Sequence, residues 1–452
     1  MSSTINLKHG LNVPLNGEAE LRVAAKFVLS EVALKPTDFR GLLPKLLVKE
    51  GEEVKAGAPL FADKKNPAIL FTSPVSGVVS RVVRGEKRKL LAVTVKPSQT
   101  QEYVDFTPKT GAKTADALKE LLLESGLWPL LVQRPYGIVA DPAKTPKAIF
   151  VSTFSTAPLA ADTAFTLGGE VAAIQAGLDA VALLTSGKVH VSLYAKTAAT
   201  SPFAKLQNCE FHVFEGKHPA GNVGVQISHI APIQKGETVW TITLEGLAAI
   251  GKLIKTGKVD LSRKVALTGP ATYDACYIDA VPGLAIADLA NFYSDSQKED
   301  IRFISGNALS GVNVGADGFL GFGDNQITLL PEGNTYELFG WAKPIRCSQF
   351  SSSRTYFSWL TPNKKYDMDT NLHGGVRSFV LSDVYAKVLP MDIYPVFLTK
   401  ACLAKDIDKM EKFGIYEVLE EDLALCEYVD PSKNDIQQII ADGINLMLKE
   451  MA

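Results

Sequence analysis

Thiols, imidazoles and amines are the groups that chemistry would recruit first, and their spacing along this chain limits what they can do. The five cysteines stand at positions 209, 276, 347, 402 and 426 with no Cys-x-x-Cys pair, which supports neither a disulfide framework nor a zinc knuckle. The six histidines, at 9, 190, 212, 218, 229 and 373, have no metal-ligand spacing. His212 and His218 flank a loop without a third partner, so no metal site is expected. The first strand-like run after Lys147 leads into STFSTAPLAADTAF, which holds no Gly-x-Gly-x-x-Gly; a dinucleotide phosphate would find no glycine cradle there. Two basic groupings remain. Lys64 and Lys65 sit at an apparent hairpin tip, and Arg81, Arg84, Lys87, Arg88 and Lys89 form a basic edge. That edge is either a solvated hairpin or a docking surface for an acidic partner or anionic membrane.

The whole chain sets the frame for these groups. At 452 residues and 46% hydrophobic content, and with ~150 residues per domain, about three domains are expected. Net charge is -2 from 47 basic and 49 acidic residues, so the balance gives no signal for nucleic acid. The most apolar long segment, 167–187, contains Glu170 and Asp179. It falls short of the ~20 uninterrupted apolar positions of a membrane span, and a buried helix is expected. The N-terminal MSSTINLKHG lacks a basic stretch followed by an apolar one, which argues against secretion.

Turn residues divide Val48 to Lys96 into short strands, and the order of EGEEVKAGAPLF, a hairpin and SPVSGVV resembles the barrel-sandwich fold of lipoyl and biotinyl carriers. The resemblance places the carrier lysine at Lys64 or Lys65. The loop onward to Ser73-Pro74 is longer than a carrier's, so a structural docking module is expected instead. Residues 1–47 look like a clasp around it. A polar, proline-rich passage marks a boundary near 100–112, after which strand, helix and strand alternate as in a β-α-β unit with a parallel sheet. The expected fold class is mixed α/β and α+β: 1–100 a barrel-sandwich hybrid with its clasp, 112–260 a Rossmann-like domain, 261–333 a glycine-rich β-grasp (SLBB-like) domain, and 334–452 a helical domain. An amphipathic helix is expected from Ile436 to Met451.

Short matches then fall in one order: Gly10-Leu11-Asn12-Val13-Pro14, Asp63-Lys64-Lys65-Asn66-Pro67, Ser125-Gly126-Leu127-Trp128, Arg134-Pro135, His218-Pro219-Ala220-Gly221, Leu338-Phe339-Gly340-Trp341 and Glu421-Asp422-Leu423-Ala424-Leu425-Cys426. Taken together they resemble the A-type subunits of the Na+-translocating NADH:quinone oxidoreductases over essentially the full length. That family is in turn similar to the flavin subunit of respiratory complex I and to the iron–sulfur, C-type subunit of Rnf-type complexes. Flavin relatives follow Ser-Gly-Leu with a glycine-rich phosphate loop. Here Ser125-Gly126-Leu127 leads into bulky residues and two prolines, Pro129 and Pro135, which donate no amide. Rnf relatives carry two Cys-x-x-Cys-x-x-Cys-x-x-x-Cys-Pro runs, and a [4Fe–4S] cluster needs four thiolates. Aligned on the terminal prolines, the second run becomes Glu420, Leu423, Cys426 and Asp430. The first becomes Val384, Lys387, Pro390 and Tyr394.

The resemblance therefore implies a peripheral subunit, at the cytoplasmic face of the bacterial inner membrane, in a respiratory complex that couples NADH oxidation and ubiquinone reduction to sodium transport. FMN, FAD, riboflavin and the iron–sulfur centre would belong to the other five subunits, of which a membrane subunit is the chief partner. No cofactor is expected on this chain. A quinone is the ligand to look for, near Trp128, Leu131, Arg134, Tyr136 and His218. The competing readings are a flavin-dependent or lipoyl-carrier redox protein and an assembly factor without substrate contact.

Overall fold

The computed structural model describes residues 4–24, 28–289, 292, 300–335, 337–340, 346, 349–378 and 383–450. Trp341, Cys347 and Met451, singled out above, lie outside them. A first strand, β1 (Thr4–Asn6), precedes a barrel unit of seven short strands: β2 (Val32–Leu34), β3 (Pro44–Leu46), β4 (Glu53–Val54), β5 (Pro59–Asp63), β6 (Leu70–Thr72), β7 (Gly77–Arg84) and β8 (Leu90–Pro97). They form two sheets, in the orders β2-β8-β7-β4 and β3-β5-β6. Alternation drives this arrangement. In β7 Gly77 and Val79 are buried with Val78 exposed between them, as a half-solvated antiparallel sheet requires, and a register shift between Val79 and Arg81 then turns Arg81 outward. Lys64 and Lys65 are exposed in the loop between β5 and β6, where the Lys65 amide donates to the Asp63 side chain.

The second unit begins with α1 (Ala115–Ser125), capped by the Thr114 hydroxyl and closed by Gly126 in the left-handed region. Its strands are β9 (Val132–Arg134), β10 (Ile138–Val139), β11 (Ile149–Ser152), β12 (Val189–Tyr194), β13 (Glu210–Glu215) and β14 (Val239–Thr241). With β1 they form one seven-stranded sheet in the order β1-β13-β12-β11-β14-β9-β10. β1, β13, β12, β11 and β14 are mutually parallel, and β9 and β10 add antiparallel. The segment expected as a clasp around the barrel, residues 1–47, divides: β2 and β3 join the barrel sheets, while β1 forms the edge of the second sheet.

Helices cover both faces of that sheet. The odd positions of β12, Val189, Val191 and Leu193, join one core with the helices α3 (Val171–Val181) and α5 (Leu244–Thr256). On the other face Phe150 packs with Ile227 of α4 (Val223–Ile230). The segment Thr163–Leu184 is long and apolar enough to cross a membrane by length and composition. It is not one regular helix: α2 (Thr163–Leu167) and a 3-10 turn at Gly168–Glu170 precede α3. The barrel and the second unit also share their interior, one contiguous cluster running from Val32 and Phe61 through Trp128 and Ile174 to Leu261.

A third unit is a mixed sheet of β15 (Arg263–Thr268), β16 (Tyr277–Ala280), β17 (Ile301–Ser305), β18 (Val312–Asn313) and β19 (Gln326–Pro331), ordered β16-β15-β19-β17-β18. Its centre is the parallel pair of β15 and β19. The last unit packs α6 (Pro395–Ala404), α7 (Ile407–Phe413), α8 (Ala424–Val429) and α9 (Ile436–Glu450) around Leu398, Met410, Cys426 and Ile440.

Candidate functional site at the sheet switch point

The order of the second sheet decides where a ligand can enter. From β11 the chain steps outward to β12 and β13, then returns to place β14 on the opposite side of β11. The connections leaving the carboxyl ends of β11 and β14 therefore diverge, and the crevice between them is the usual ligand position in open parallel sheets. A cavity of about 290 Å³ opens there, lined by Ser152, His218, Asn222, Glu245, Asn325 and Gln326 among others. The third unit supplies its far wall through Gly306, Asn307 and Gly323 to Gln326. Asn325 Nδ2 donates to Glu245 Oε1 at 2.7 Å, which ties that wall to the first turn of α5.

Two helices point their amino termini at the crevice, α4 through Gly221, Asn222 and Val223 and α5 through Thr243, Leu244 and Glu245. Such termini carry partial positive charge and attract phosphate. In this chain carboxylates answer them. Glu245 occupies the first turn of α5. Asp422 sits over the start of α4, so close that a Cβ at Gly224 would lie 2.3 Å from its Oδ2. Asn222 Nδ2 donates to Asp422 Oδ1 at 3.3 Å and to the Glu421 carbonyl at 3.1 Å. Among the described residues no Lys or Arg lines the cavity, while Glu245, Asp324 and Glu421 do. Burial holds the Asp324 carboxyl above its usual range. A flavin or dinucleotide phosphate does not fit this lining, because it would face carboxylates without a cation.

The five residues expected near a quinone separate. Trp128 and Leu131 are fully buried. The Trp128 indole donates to the Ala140 carbonyl at 2.7 Å and meets Trp240 edge-on at 5.5 Å, so it is a core pillar. Arg134, 3% exposed, donates to Glu421 at 2.7 Å and to Asp422 at 3.1 Å. Tyr136, half-buried, stands edge-on to Tyr416 at 6.2 Å. Only His218 lines the cavity. Its Nδ1 lies 3.2 Å from the Thr156 hydroxyl, its amide donates to Asn12 Oδ1, and burial pushes its pKa down to about 4, leaving a neutral imidazole at pH 7.

Sequence reasoning missed the polar lining of Ser152, Asn222, Asn325 and Gln326. The available signal was positional: Ser152 ends the first β-α-β strand, and Asn222 precedes a helix. The acidic triplet Glu420-Glu421-Asp422 also gains a role. Glu420 pairs with Arg40, and the next two residues hold Arg134. At the positions aligned with cluster ligands, Cys426 is buried with its thiol raised by burial, and Asp430 accepts from the Ser432 and Asn434 amides. Pro395 still opens a helix, α6. Cys402, on α6, is pushed up to about 12 by burial, far from thiolate character.

The fold and the crevice define a multidomain protein that joins a barrel-sandwich unit to an α/β layer whose switch-point cavity is polar and acidic. Family models match both units: the NqrA N-terminal barrel-sandwich hybrid domain over residues 5–98 and the NqrA second alpha/beta domain over 113–259. The A-type subunit of the Na(+)-translocating NADH-quinone reductase of Neisseria meningitidis is 35% identical over 450 residues, covering 99% of this chain and all of that one. Its counterpart in Serratia proteamaculans is 36% identical over 454 residues, with 99% of this chain and 100% of that one covered. The chain belongs to the NqrA family, the A-type subunits of Na(+)-translocating NADH-quinone reductase. Among solved structures, an NAD+-reducing [NiFe]-hydrogenase in the H2-reduced state aligns at 10% identity over 76% of this chain and 62% of that chain, with a TM-score of 0.39.

Proposed function

We propose that this chain is a cofactor-free, non-catalytic subunit of a Na+-pumping NADH:quinone reductase, peripheral at the cytoplasmic face of the inner membrane. It holds the other subunits, chiefly a membrane subunit, in register, and the flavins and iron–sulfur centre are theirs. Its second unit is a Rossmann-like layer and its third an SLBB-like β-grasp, both kept for shape. The observation that carries this reading is the pair of helix amino termini answered by Glu245 and Asp422, which leaves no charge for a phosphate to satisfy. The quinone vicinity is then the crevice wall at His218 rather than the packed loop of Trp128 and Leu131.

Purifying the full chain by itself tests the first part, and the expected product is colourless, without stoichiometric FMN or iron. Either group at one equivalent per chain would sink the scaffold reading. In the assembled complex a quinone photoprobe is expected to label peptides lining the crevice near His218. Labelling between Gly126 and Leu131 instead would move the contact, and no labelling of this chain would reduce it to assembly alone.

A further inference from the structure

On the α4 face of the second sheet, away from the crevice, three metal-ligating side chains converge. The parallel register sets His190 of β12 opposite Phe150 of β11 on one side and opposite Glu210 of β13 on the other, and Ser192 opposite His212. With side chains alternating along each strand, His190, Glu210 and His212 emerge on the same face as Phe150. The His190 ring stacks on Phe150 at 4.8 Å and 23°, which fixes its plane. Its Nδ1 then lies 3.0 Å from Nε2 of His212, and one ligand atom from each of the three side chains falls within 4.8 Å of the others. Among the described residues β1 pairs with Val213, Phe214 and Glu215. All three side chains are partly exposed, and an ion can reach them from solvent.

We propose that His190, Glu210 and His212 form a binding site for a borderline divalent cation, Zn2+ first among them, with a water molecule completing the coordination. Zinc holds imidazole nitrogen at about 2.0–2.1 Å, so two nitrogens on one tetrahedral ion stand roughly 3.3 Å apart, close to the spacing already present. Both imidazoles are displaced toward the neutral form, His190 to about 4, chiefly by burial. A proton shared between the two rings accounts for their approach, but not for a carboxylate within reach of both nitrogens. Glu210 is engaged by Lys188, whose Nζ lies 2.6 Å from Oε2, so that ammonium competes with the cation for the carboxylate. Cu2+ and Ni2+ suit the same donors. Because the three ligands come from two strands, the site exists only in the folded chain, and a bound ion adds to its stability by mass action.

Titrating the chelator-treated full-length chain with Zn2+ is expected to show one tight equivalent, and Co2+ in its place should give visible absorption of a low-coordinate site. His190→Ala and His212→Gln should each weaken Zn2+ by roughly tenfold or more. Exposed His373, changed to Ala, should leave it unaltered. Lys188→Ala frees the carboxylate without touching a ligand and should tighten binding, a response that a purely structural histidine pair would not give. Metal-free melting curves of each variant establish that it folds. Absence of a tight equivalent, or one that survives both histidine changes, overturns the site.

Discussion

Arg134 carries a full charge in the interior, and its two carboxylate partners decide what its loss would do. The Asp422 side chain is completely buried and Glu421 is half-exposed. Removing the cation leaves Asp422 without its ion-pair partner, and breaking a buried pair from one side costs about 3–5 kcal/mol. Arg134→Ala is therefore expected to lower the unfolding free energy by that amount in urea titrations at pH 7. Glu421→Ala removes a partner that water partly screens and should cost under about 1 kcal/mol. Equal losses would mean that the buried pair with Asp422 is not what binds β9 to the helical unit. The sequence made Arg134 visible as part of Arg134-Pro135 but not its partner, which lies 288 positions away. The same limit applied to His190 and His212, which have no ligand spacing along the chain and become neighbours only through strand pairing.

At the level of elements, α3 and α5 show how closely two helices can be brought by glycine. A Cβ on Gly177 of α3 would lie 2.0 Å from the Leu247 carbonyl oxygen, and one on Gly251 of α5 would lie 1.8 Å from that of Ala173. Each helix thus presents a bare backbone to the other. Alanine is favoured over glycine in a helix by about 1 kcal/mol, whereas forcing a methyl into a packed contact costs typically about 1–3 kcal/mol and more where backbone must move. Backbone lies on the receiving side in both places, so the clash wins. Gly251→Ala should destabilise the chain by about 2 kcal/mol by chemical denaturation, and a gain in stability would show that the helices separate freely. That contact explains why part of the apolar segment was legible as a packed helix before its partner was known: Ile174, Gly177 and Leu178 are buried, and Ala173 and Gly177 bring their backbone against α5. Its interruption at Gly168–Glu170 was not legible, since a 3-10 turn keeps nearly the same spacing. The amphipathic stripe beginning at Ile436 became α9, ending at Glu450, and the glycine-rich third unit became a sheet around a parallel pair that no local pattern announces.

Over the whole molecule the N-terminal run acts as a tie. β1 extends the second sheet, Leu7 enters the core of the helical unit, and the Gly10 amide donates to Lys387. Leu11 and Asn12 then bind His218 at the crevice, Asn16 reaches Tyr366, and Gly17 accepts from the Gly269 amide in the third unit. Ala24 donates to Tyr277 before the chain enters the barrel at β2. Two contacts are too close for any side chain, since a Cβ at Gly10 or Gly17 would sit 2.4 Å from the His218 carbonyl or 2.3 Å from Gly269. The barrel and the second unit already share one interior and need no tie. The third unit has its own core, and the core of the helical unit also takes in Phe214, Ala220 and Val225 of the second, so the N-terminal run is one of several ties by which these units unfold with the rest. A chain lacking residues 1–17 should therefore lose cooperativity rather than fold. Calorimetry is expected to resolve the single transition of the full chain into at least two, with the core from Val32 to Leu261 melting near its original temperature and the helical unit several degrees lower. Gly10→Ala with Gly17→Ala, which keeps every residue but strains both contacts, should split the transition in the same order by a smaller interval. One transition moved as a whole would mean that the units are coupled through their own faces and that the N-terminal run merely lies across them.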